Sequence, residues 1–387
     1  MREKGYASKT EYASIAKRVA TEGKGVATYL GEERARQGKG LDPLVDPKGL
    51  EKYGPVRGSN NLLVPEGDQF VLEYGVAMPV QTDCDLTGSM GGNVDVFFKI
   101  QPDVQDLLIQ GKGAVLKRYQ AQMCTGAVQD VVDQFPYQRS QFEPDNEVER
   151  QMGLLVPERS GGDNTEDYQI GLFAAAYLTD ASITKYGLRG YYFAVGDEIG
   201  RDTLDPYGQL LKKTFGSKTD EVEKVLGNTS ARSLRTVNIG KILLRNWHGF
   251  FLQVGRNRYT TDWWSDTLGK ERVVQLPRTE DLAEVQAVII GLTEGVLDLQ
   301  SAVDFLKESK VSATEAKRIV EACSGIPIGL QTTFANFDKI PMAGARFASR
   351  DDIWPIGTDV PSGAKSKKAK KSAPKEEKKE KKEDWKL

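Results

Sequence analysis

Residues 69–92 read QFVLEYGVAMPVQTDCDLTGSMGG, and they are the most informative part of the sequence for the fold class. The part up to Asp83 is apolar and rich in β-forming residues, which predicts a buried strand. Asp85, Thr87 and Ser89 follow at alternate positions, and the glycines between and after them permit a tight turn. The stretch therefore predicts a buried strand that ends in a polar, glycine-rich loop.

Strands and helices alternate along the chain from about residue 74 to 308. Further strands are predicted at 120–130, 135–142, 189–198, 248–256 and 271–277. Helices are predicted at 93–112, 146–156, 165–180 and 281–309, the last with a break near 291–295. Such alternation favours an α/β fold: a doubly wound, mostly parallel sheet with helices on both faces. Ligands of such sheets lie beyond the carboxyl ends of the strands, so the loops that follow strands are the candidate sites.

The chain divides by composition into four segments. We expect an N-terminal helix and extended arm at 1–68, the α/β domain at 69–309, a helix with a Pro/Gly-punctuated arm at 310–364, and a Lys/Glu-rich tail at 365–387. The arms carry prolines, glycines and phenylalanines, which favours segments that lie on another surface.

The tail is strongly basic, whereas the rest of the chain is acidic. It holds eleven lysines and five acidic residues, a surplus of +6, which leaves −8 for the remainder of a chain of net charge −2. Such a polar segment cannot bury enough surface to fold, so the sequence predicts disorder. We favour a solubilising role over nucleic-acid binding. Trp385 is unusual in such a tail and could be a docking anchor.

Composition excludes several classes of protein. The 387 residues are 39% hydrophobic and 28% charged, a soluble profile. No apolar stretch approaches the roughly 20 residues of a membrane span, and the N-terminus lacks the apolar core of a secretion signal. Three cysteines fit a reducing cytosol, and a single histidine nearly excludes multi-histidine metal sites. We therefore expect a cytoplasmic protein, or one assembled in a virion, with no membrane partner.

The loop after the first strand offers hard oxygen ligands. Asp85, Thr87 and Ser89 supply one carboxylate and two hydroxyls, which suit Mg²⁺, or alternatively Mn²⁺ or Ca²⁺. The alternative is purely structural: the aspartate closes a turn while the hydroxyls cap the following helix.

This loop resembles a known family. DLTGSM (85–90) resembles the D-x-S-x-S metal-ion-dependent adhesion site of von Willebrand factor A domains. SGGDNTEDYQIGLFAAAYL (160–178) resembles the family's GG-x-T region, and Asp197 ends a strand where the family has an aspartate. The resemblance covers roughly residues 70–308. Residues 41–92 are also similar to an uncharacterised bacterial and phage group of these domains.

The resemblance implies a metal site and a partner. Its ligands would be Asp85, Thr87, Ser89, Thr165 and Asp197, and an acidic side chain of a protein partner would fill the open position. Asp163 is the alternative to Thr165. Asp83 points to the same side of the strand as Asp85. It either hydrogen-bonds to a metal ligand without touching the ion, or is an ordinary hydrogen-bonded polar residue.

Three functions remain open at this point. The first is a metal-dependent protein-binding module. It is favoured over an enzyme because the sequence shows no pairing of a nucleophile with a base. The second is a metal-assisted hydrolase or phosphoryl-transfer enzyme. The third is a structural assembly protein of a phage or bacterial complex, with docking arms and the option of forming an oligomer. A partner-binding rim is predicted from Arg258, Tyr259, Trp263 and Trp264, which follow a strand on the ligand side of the sheet. The alternative is that one tryptophan packs under the loop and the other caps a hydrophobic edge.

Overall fold

The computed structural model describes residues 29–52, 63–73, 75–109, 115–144, 147–161, 163, 165–333 and 337–349. Most of the predicted N-terminal helix, part of the first arm, and the whole Lys/Glu-rich tail therefore lie outside the described residues.

The secondary structure alternates between strands and helices through the middle of the chain. The described strands are β1 (Leu63–Glu66), β2 (Gln69–Leu72), β3 (Ala77–Asp85), β4 (Gln120–Val128), β5 (Tyr137–Arg139), β6 (Thr165–Glu166), β7 (Gly190–Gly196), β8 (Ile199–Gly200), β9 (Trp247–Gln253), β10 (Val273–Gln275) and β11 (Arg346–Phe347). The described helices are α1 (Tyr29–Arg36), α2 (Asn93–Ile100), α3 (Asp103–Ile109), α4 (Glu147–Met152), α5 (Tyr168–Tyr177), α6 (Leu210–Phe215), α7 (Thr219–Glu223), α8 (Thr236–Asn246), α9 (Arg258–Leu268), α10 (Leu282–Glu294), α11 (Leu299–Glu308) and α12 (Ala313–Ala322).

A six-stranded sheet forms the centre of the domain, in the order β10-β9-β7-β3-β4-β5. Every neighbouring pair is parallel except β4 and β5, which are antiparallel. When the six strands of this sheet are renumbered by their order in the chain, with β3 as 1 and β10 as 6, their order across the sheet is 6-5-4-1-2-3. This is the order of a doubly wound sheet. The predicted fold class is confirmed. The chain reverses its direction of winding between β3 and β7, and this switch point is where such sheets bind ligands.

Helices cover both faces of the sheet. On one face the buried Thr82 hydroxyl of β3 donates to Gln286 of α10, at 3.3 Å. On the other face the Tyr168 hydroxyl of α5 donates to Asp85, at 2.6 Å. Strand β3 lies between these layers, so all nine of its residues are buried. Its first four residues, 77–80, are accordingly apolar. The buried polar residues that follow have hydrogen-bond partners inside the protein. Among the described helices, none is long and apolar enough to cross a membrane.

Several predicted elements are divided in the structure. The apolar run from residue 69 becomes β2 and β3, because Gly75 turns the chain at a φ of 127° that favours glycine. The predicted helix at 93–112 breaks before α3, where Pro102 stands. The predicted break near 291–295 is confirmed at Gly295, which ends α10 in the left-handed conformation. Helices α6 to α8 were not predicted.

The two arms meet at the edge of the sheet where β3 begins. Strand β11 pairs with β2, and β1 completes this three-stranded sheet. Gln331 fixes the second arm further, because its amide donates to the backbone of Arg189 at 2.8 Å and to buried Glu294 at 3.2 Å. His248 shares the Gln331 side-chain oxygen at 3.0 Å. The part of the second arm from Gln331 to β11 thus lies at the edge opposite to the carboxyl ends of the strands. Helix α12 of the same arm instead contacts the start of α10, where Arg318 pairs with Asp281 at 3.0 Å.

Candidate metal centre

The candidate site lies at the switch point of the sheet. Strands β3 and β7 are parallel neighbours in which Cys84 pairs with Val195. Asp85 and Asp197 follow these two positions, so both carboxyl groups reach the same edge of the sheet. Sequence position alone had suggested this convergence, and the strand register produces it.

A continuous row of hydrogen bonds joins four of the predicted ligands. The Thr87 hydroxyl donates to Asp85 Oδ1 at 2.6 Å and lies 3.3 Å from the Ser89 hydroxyl. The Ser89 hydroxyl in turn donates to Asp197 Oδ1 at 3.0 Å. Two carboxyl groups and two hydroxyls from two separate loops therefore form one cluster of oxygen atoms.

The loop is shaped by its own side chains and by glycine. Asp85 Oδ1 accepts the backbone N–H of Thr87 at 2.8 Å, which closes a turn of the kind aspartate favours. The N–H of Gly88 donates to the Ser160 carbonyl at 2.7 Å, so the first loop lies directly on the second. A Cβ atom at Gly88 would come within 3.2 Å of the Arg159 carbonyl oxygen. A side chain at this position would press on the second loop, so the close approach of the two loops favours glycine.

Tyr168 holds the second oxygen of Asp85. Its hydroxyl donates to Asp85 Oδ2 at 2.6 Å, and both side chains are fully buried. A Cβ at Gly196 would overlap that hydroxyl, so the glycine at the end of β7 makes room for it. Sequence reasoning missed this residue, since a tyrosine in an apolar helix reads as core.

Burial sets the protonation of the two carboxyl groups. Loss of water raises the pKa of Asp85 to about 6, although hydrogen bonds from Thr87 and Tyr168 oppose the shift and the Asp197 charge adds to it. Burial also raises the pKa of Asp197, against the hydrogen bond from Ser89. The cluster is therefore short of positive charge, and a cation placed there would relieve both groups.

Glu166 is a third carboxyl group at the site, and no motif or pattern in the sequence pointed to it. Strand β6 pairs with β8, which begins two residues after Asp197. This pairing buries Glu166, which is only 1% exposed. Burial and, to a smaller extent, the charge of Asp85 raise the pKa of Glu166 to about 9. A hydrogen bond with the Thr87 hydroxyl opposes this shift. Its Oε2 atom is buried and makes no hydrogen bond within the described residues. A buried, unpaired oxygen beside Asp85 and Thr87 fits a missing cation.

The two residues weighed for the second loop lie differently. Thr165 is half-buried in β6, next to Glu166, and pairs through its backbone with Ile199. Asp163 is 54% exposed, and its Oδ2 accepts from Arg201 at 3.0 Å. The carboxylate of Asp163 is therefore already paired with the guanidinium of Arg201.

Arg201 ties three loops together beside the site. Besides Asp163, it contacts Asp130 after β4 at 2.9 Å and Asp167 before α5 at 3.5 Å. Asp130, Asp167 and Arg201 are buried, so the pairing compensates charges that water cannot reach. The ring of Tyr207 lies 5.5 Å from the guanidinium carbon. This cluster, which the sequence did not reveal, fixes the second loop against the sheet.

Asp83 lies one step inward from the site in a closed network. Its carboxyl accepts from Gln81 at 2.9 Å, from Tyr192 at 3.0 Å and from Tyr137 at 3.2 Å. Burial raises the pKa of Asp83 to about 6, against these hydrogen bonds and the charge of Arg139. Of the two roles considered, this arrangement favours the hydrogen-bonded polar residue, because its oxygens are already engaged in the core.

The tryptophan pair does not form an exposed rim. Residues 258–268, expected as a loop, are helix α9, and Trp264 is fully buried against Phe251, with ring centroids 4.1 Å apart. Its indole N–H donates to the Glu198 carbonyl at 3.1 Å. Trp263 is half-buried and covers Gly200. The rim interpretation is therefore wrong for Trp264, which packs under the loop that carries Asp197.

The donor set fits a hard divalent cation. Carboxylate and hydroxyl oxygens are the ligands that Mg²⁺, Mn²⁺ and Ca²⁺ prefer. No group of three or more Asp, Glu, His or Cys side chains in the described part of the chain is arranged to hold a metal. An ion at this edge would thus need the hydroxyls of Thr87 and Ser89 as well as the carboxylates.

Comparisons with known proteins give distant structural similarities. No protein-family model and no curated protein matches the chain. Among solved structures it is similar to proximal thread matrix protein 1 from the mussel byssus, in a form with a zinc-occupied MIDAS motif, with a TM-score of 0.36 and 11% identity over 58% of this chain and 47% of that one. It is also similar to the pilus adhesin SpaC from Lactobacillus rhamnosus GG, with a TM-score of 0.36 and 18% identity over 56% of this chain and 31% of that one. The chain thus spans less than half the length of either structure.

Proposed function

We propose that this protein is a divalent-metal-dependent protein-binding module. The observation that carries the proposal is the hydrogen-bonded row of Asp85, Thr87, Ser89 and Asp197 at the switch point of the sheet. These four side chains would hold the ion. The resemblance of DLTGSM to a metal-ion-dependent adhesion site supports the same assignment, with Mg²⁺ as the first candidate and Mn²⁺ or Ca²⁺ as alternatives.

Glu166 is our preferred ligand from the second loop. Its Oε2 atom is buried and unpaired within the described residues, whereas Asp163 is engaged by Arg201. Thr165, the residue favoured from the sequence, precedes Glu166 and stays the alternative. An ion bound there would displace the proton that burial holds on Glu166, so metal binding should release a proton and become tighter as the pH rises toward 9.

The partner would supply an acidic side chain. Asp85 and Thr87 are buried, but Ser89 is exposed and Asp197 is half-exposed. An ion held between them would therefore keep one side open to solvent, and a partner's carboxylate would satisfy it there. A bound divalent cation would attract an anion electrostatically. The protein's own residues would fix the position of the cation and shield its inner side from water.

Calorimetric titration of Mg²⁺ and Mn²⁺ tests the proposal. Asp85→Ala and Asp197→Asn are expected to abolish binding, while the exposed Asp262→Asn, which removes the same charge outside the cluster, leaves it unchanged. Equal affinity of all four proteins would refute the site.

Metal-assisted hydrolysis is a second candidate, because the buried carboxyl group of Glu166 lies beside Asp85 and Thr87. Glu166, with its pKa near 9, would carry a transferable proton at neutral pH. A screen of phosphate and carboxylic esters with Mg²⁺ and Mn²⁺ tests it: turnover that Glu166→Gln removes would favour the enzyme. An assembly role in a phage or bacterial complex, oligomerisation, and a cytoplasmic or virion location stay sequence-based predictions.

A further inference from the structure

A rigid loop with exposed side chains borders the proposed metal site. It joins β9 to α9, and Asn257 caps that helix by accepting the backbone N–H of Tyr259 at 3.0 Å. Gln253 donates to the Asn257 carbonyl at 2.8 Å, which fixes the same turn. The Thr260 hydroxyl donates to the Asp197 carbonyl at 3.1 Å, so the loop is attached directly to a proposed ligand.

The side chains of this loop and of the first turn of α9 suit an acidic and aromatic partner. Arg258 is 93% exposed and has only a 3.6 Å contact with Asp262, while Tyr259 is 67% exposed. Arg256 is exposed and forms no ion pair within the described residues. Arginine and tyrosine are typical of binding hot spots, and a backbone that is already fixed adds little to the entropy lost on binding. We call Arg256, Arg258 and Tyr259 the loop rim.

The sequence contains a segment with the complementary chemistry. Residues 381–387 read KKEDWKL, in which Glu383 and Asp384 directly precede Trp385. One carboxylate suits the ion and the second suits the arginines, while the indole suits Tyr259.

We propose that Glu383, Asp384 and Trp385 bind the metal site and the loop rim of the same molecule. The inference rests on the proposed function, because the ion is the main contact of the segment. The chain then carries its own competitor, which an outside partner must displace.

The length of the intervening chain fits this assignment. The described residues end at Ser349, just after β11, at the edge where β3 begins, and β3 spans roughly 25–30 Å to the site. Asp384 lies 35 residues further along. A coil of that length has an r.m.s. span of roughly 30–35 Å, and even a helix reaches about 50 Å. Trp354, which also follows acidic residues, is only five residues beyond Ser349 and reaches at most about 18 Å.

The length of this linker also favours binding of the segment within its own molecule over binding to a second copy of the protein. A linker whose span matches the gap gives an effective concentration in the millimolar range. A neighbouring molecule at micromolar protein concentration offers roughly a thousandfold less.

Paramagnetic broadening by Mn²⁺ in the full-length chain tests the proposal. The protein has five tryptophans, so ¹⁵N-tryptophan labelling gives five indole signals, and Trp385→Phe assigns the relevant one. Stoichiometric Mn²⁺, compared with Mg²⁺, is expected to abolish the signals of Trp263 and Trp264 beside the site, and that of Trp385. Trp247, at the opposite edge, is broadened least.

Two variants separate the possible results. Glu383→Gln/Asp384→Asn is expected to restore the Trp385 signal while the signals of Trp263 and Trp264 stay broadened. Asp85→Ala is expected to retain all five. Loss of Trp263 and Trp264 with an intact Trp385 would refute the inference and leave the metal site standing. Absence of any broadening would refute the proposed function itself.

A mixing experiment addresses the source of the segment. Labelled Asp85→Ala protein is combined with unlabelled wild type and Mn²⁺. An unchanged Trp385 signal supports binding within one molecule. Broadening of that signal would show a second copy as the binding site, and the assignment to the same molecule would be wrong.

Discussion

Replacing Glu166 by glutamine should stabilise the metal-free protein while weakening its metal site. The group ordinarily ionises at 4.5, but burial and the Asp85 charge raise the pKa to about 9 in the folded protein. Folding at pH 7 therefore requires proton uptake. Glutamine has nearly the same shape and carries no charge, so it avoids this requirement.

The size of the effect follows from linkage. At 1.36 kcal/mol per pH unit, protonating the group costs roughly 3 kcal/mol at pH 7 and about 1 kcal/mol at pH 5. The sign is that of an acid whose pKa is raised on folding: its contribution is fully present below 4.5 and is lost as pH rises toward 9. Glu166→Gln should thus gain about 3 kcal/mol at pH 7, with the gain growing between pH 5 and 8.

Urea unfolding in the presence of a chelator, at several pH values, measures this difference. Glu221→Gln, which removes the same group from the surface, is the matched control and should change stability little at any pH. A Glu166→Gln protein that is no more stable than wild type at pH 7, or a difference that does not grow with pH, would refute the reasoning. Titration with Mn²⁺ should then show weaker binding by the variant.

Three further changes probe the surroundings of the site. Tyr168→Phe removes a buried hydrogen bond to a carboxylate, which should cost about 1.5–3 kcal/mol in urea unfolding of the metal-free protein at pH 7; an unchanged midpoint would contradict the bond to Asp85. Arg201→Gln leaves Asp130 and Asp167 buried without their cation, and should destabilise by about 3–5 kcal/mol, less at pH 5 than at pH 8; a loss independent of pH would argue against the ion pairs. Gln331→Ala should lower the thermal midpoint by several degrees, since the buried Glu294 loses a donor; calorimetry of the full chain would show no shift if the second arm were held elsewhere.

The central strand and its loop were predictable, because their signals are local. An apolar run followed by Asp85, Thr87 and Ser89 specifies a buried strand and a polar turn without any knowledge of the neighbours. Glu166 was not predictable, since its burial results from a two-residue strand pair with β8, far away in sequence. Trp264 illustrates the opposite error: its neighbours are polar, but tertiary packing on Phe251 buries it.

The polar side of β3 also constrains how the sequence can diverge. Asp83 fits only because Gly126 and Gly171 lack a Cβ, which would overlap its two carboxylate oxygens. The Tyr168 hydroxyl depends in the same way on Gly196. Descendants of this sequence that replace one of these glycines should therefore also replace the residue facing it, so positions 83, 126 and 171 should covary, as should positions 168 and 196. Neutral drift would then preserve the interior of the strand as a unit, while the exposed loop rim remains free to follow a changing partner.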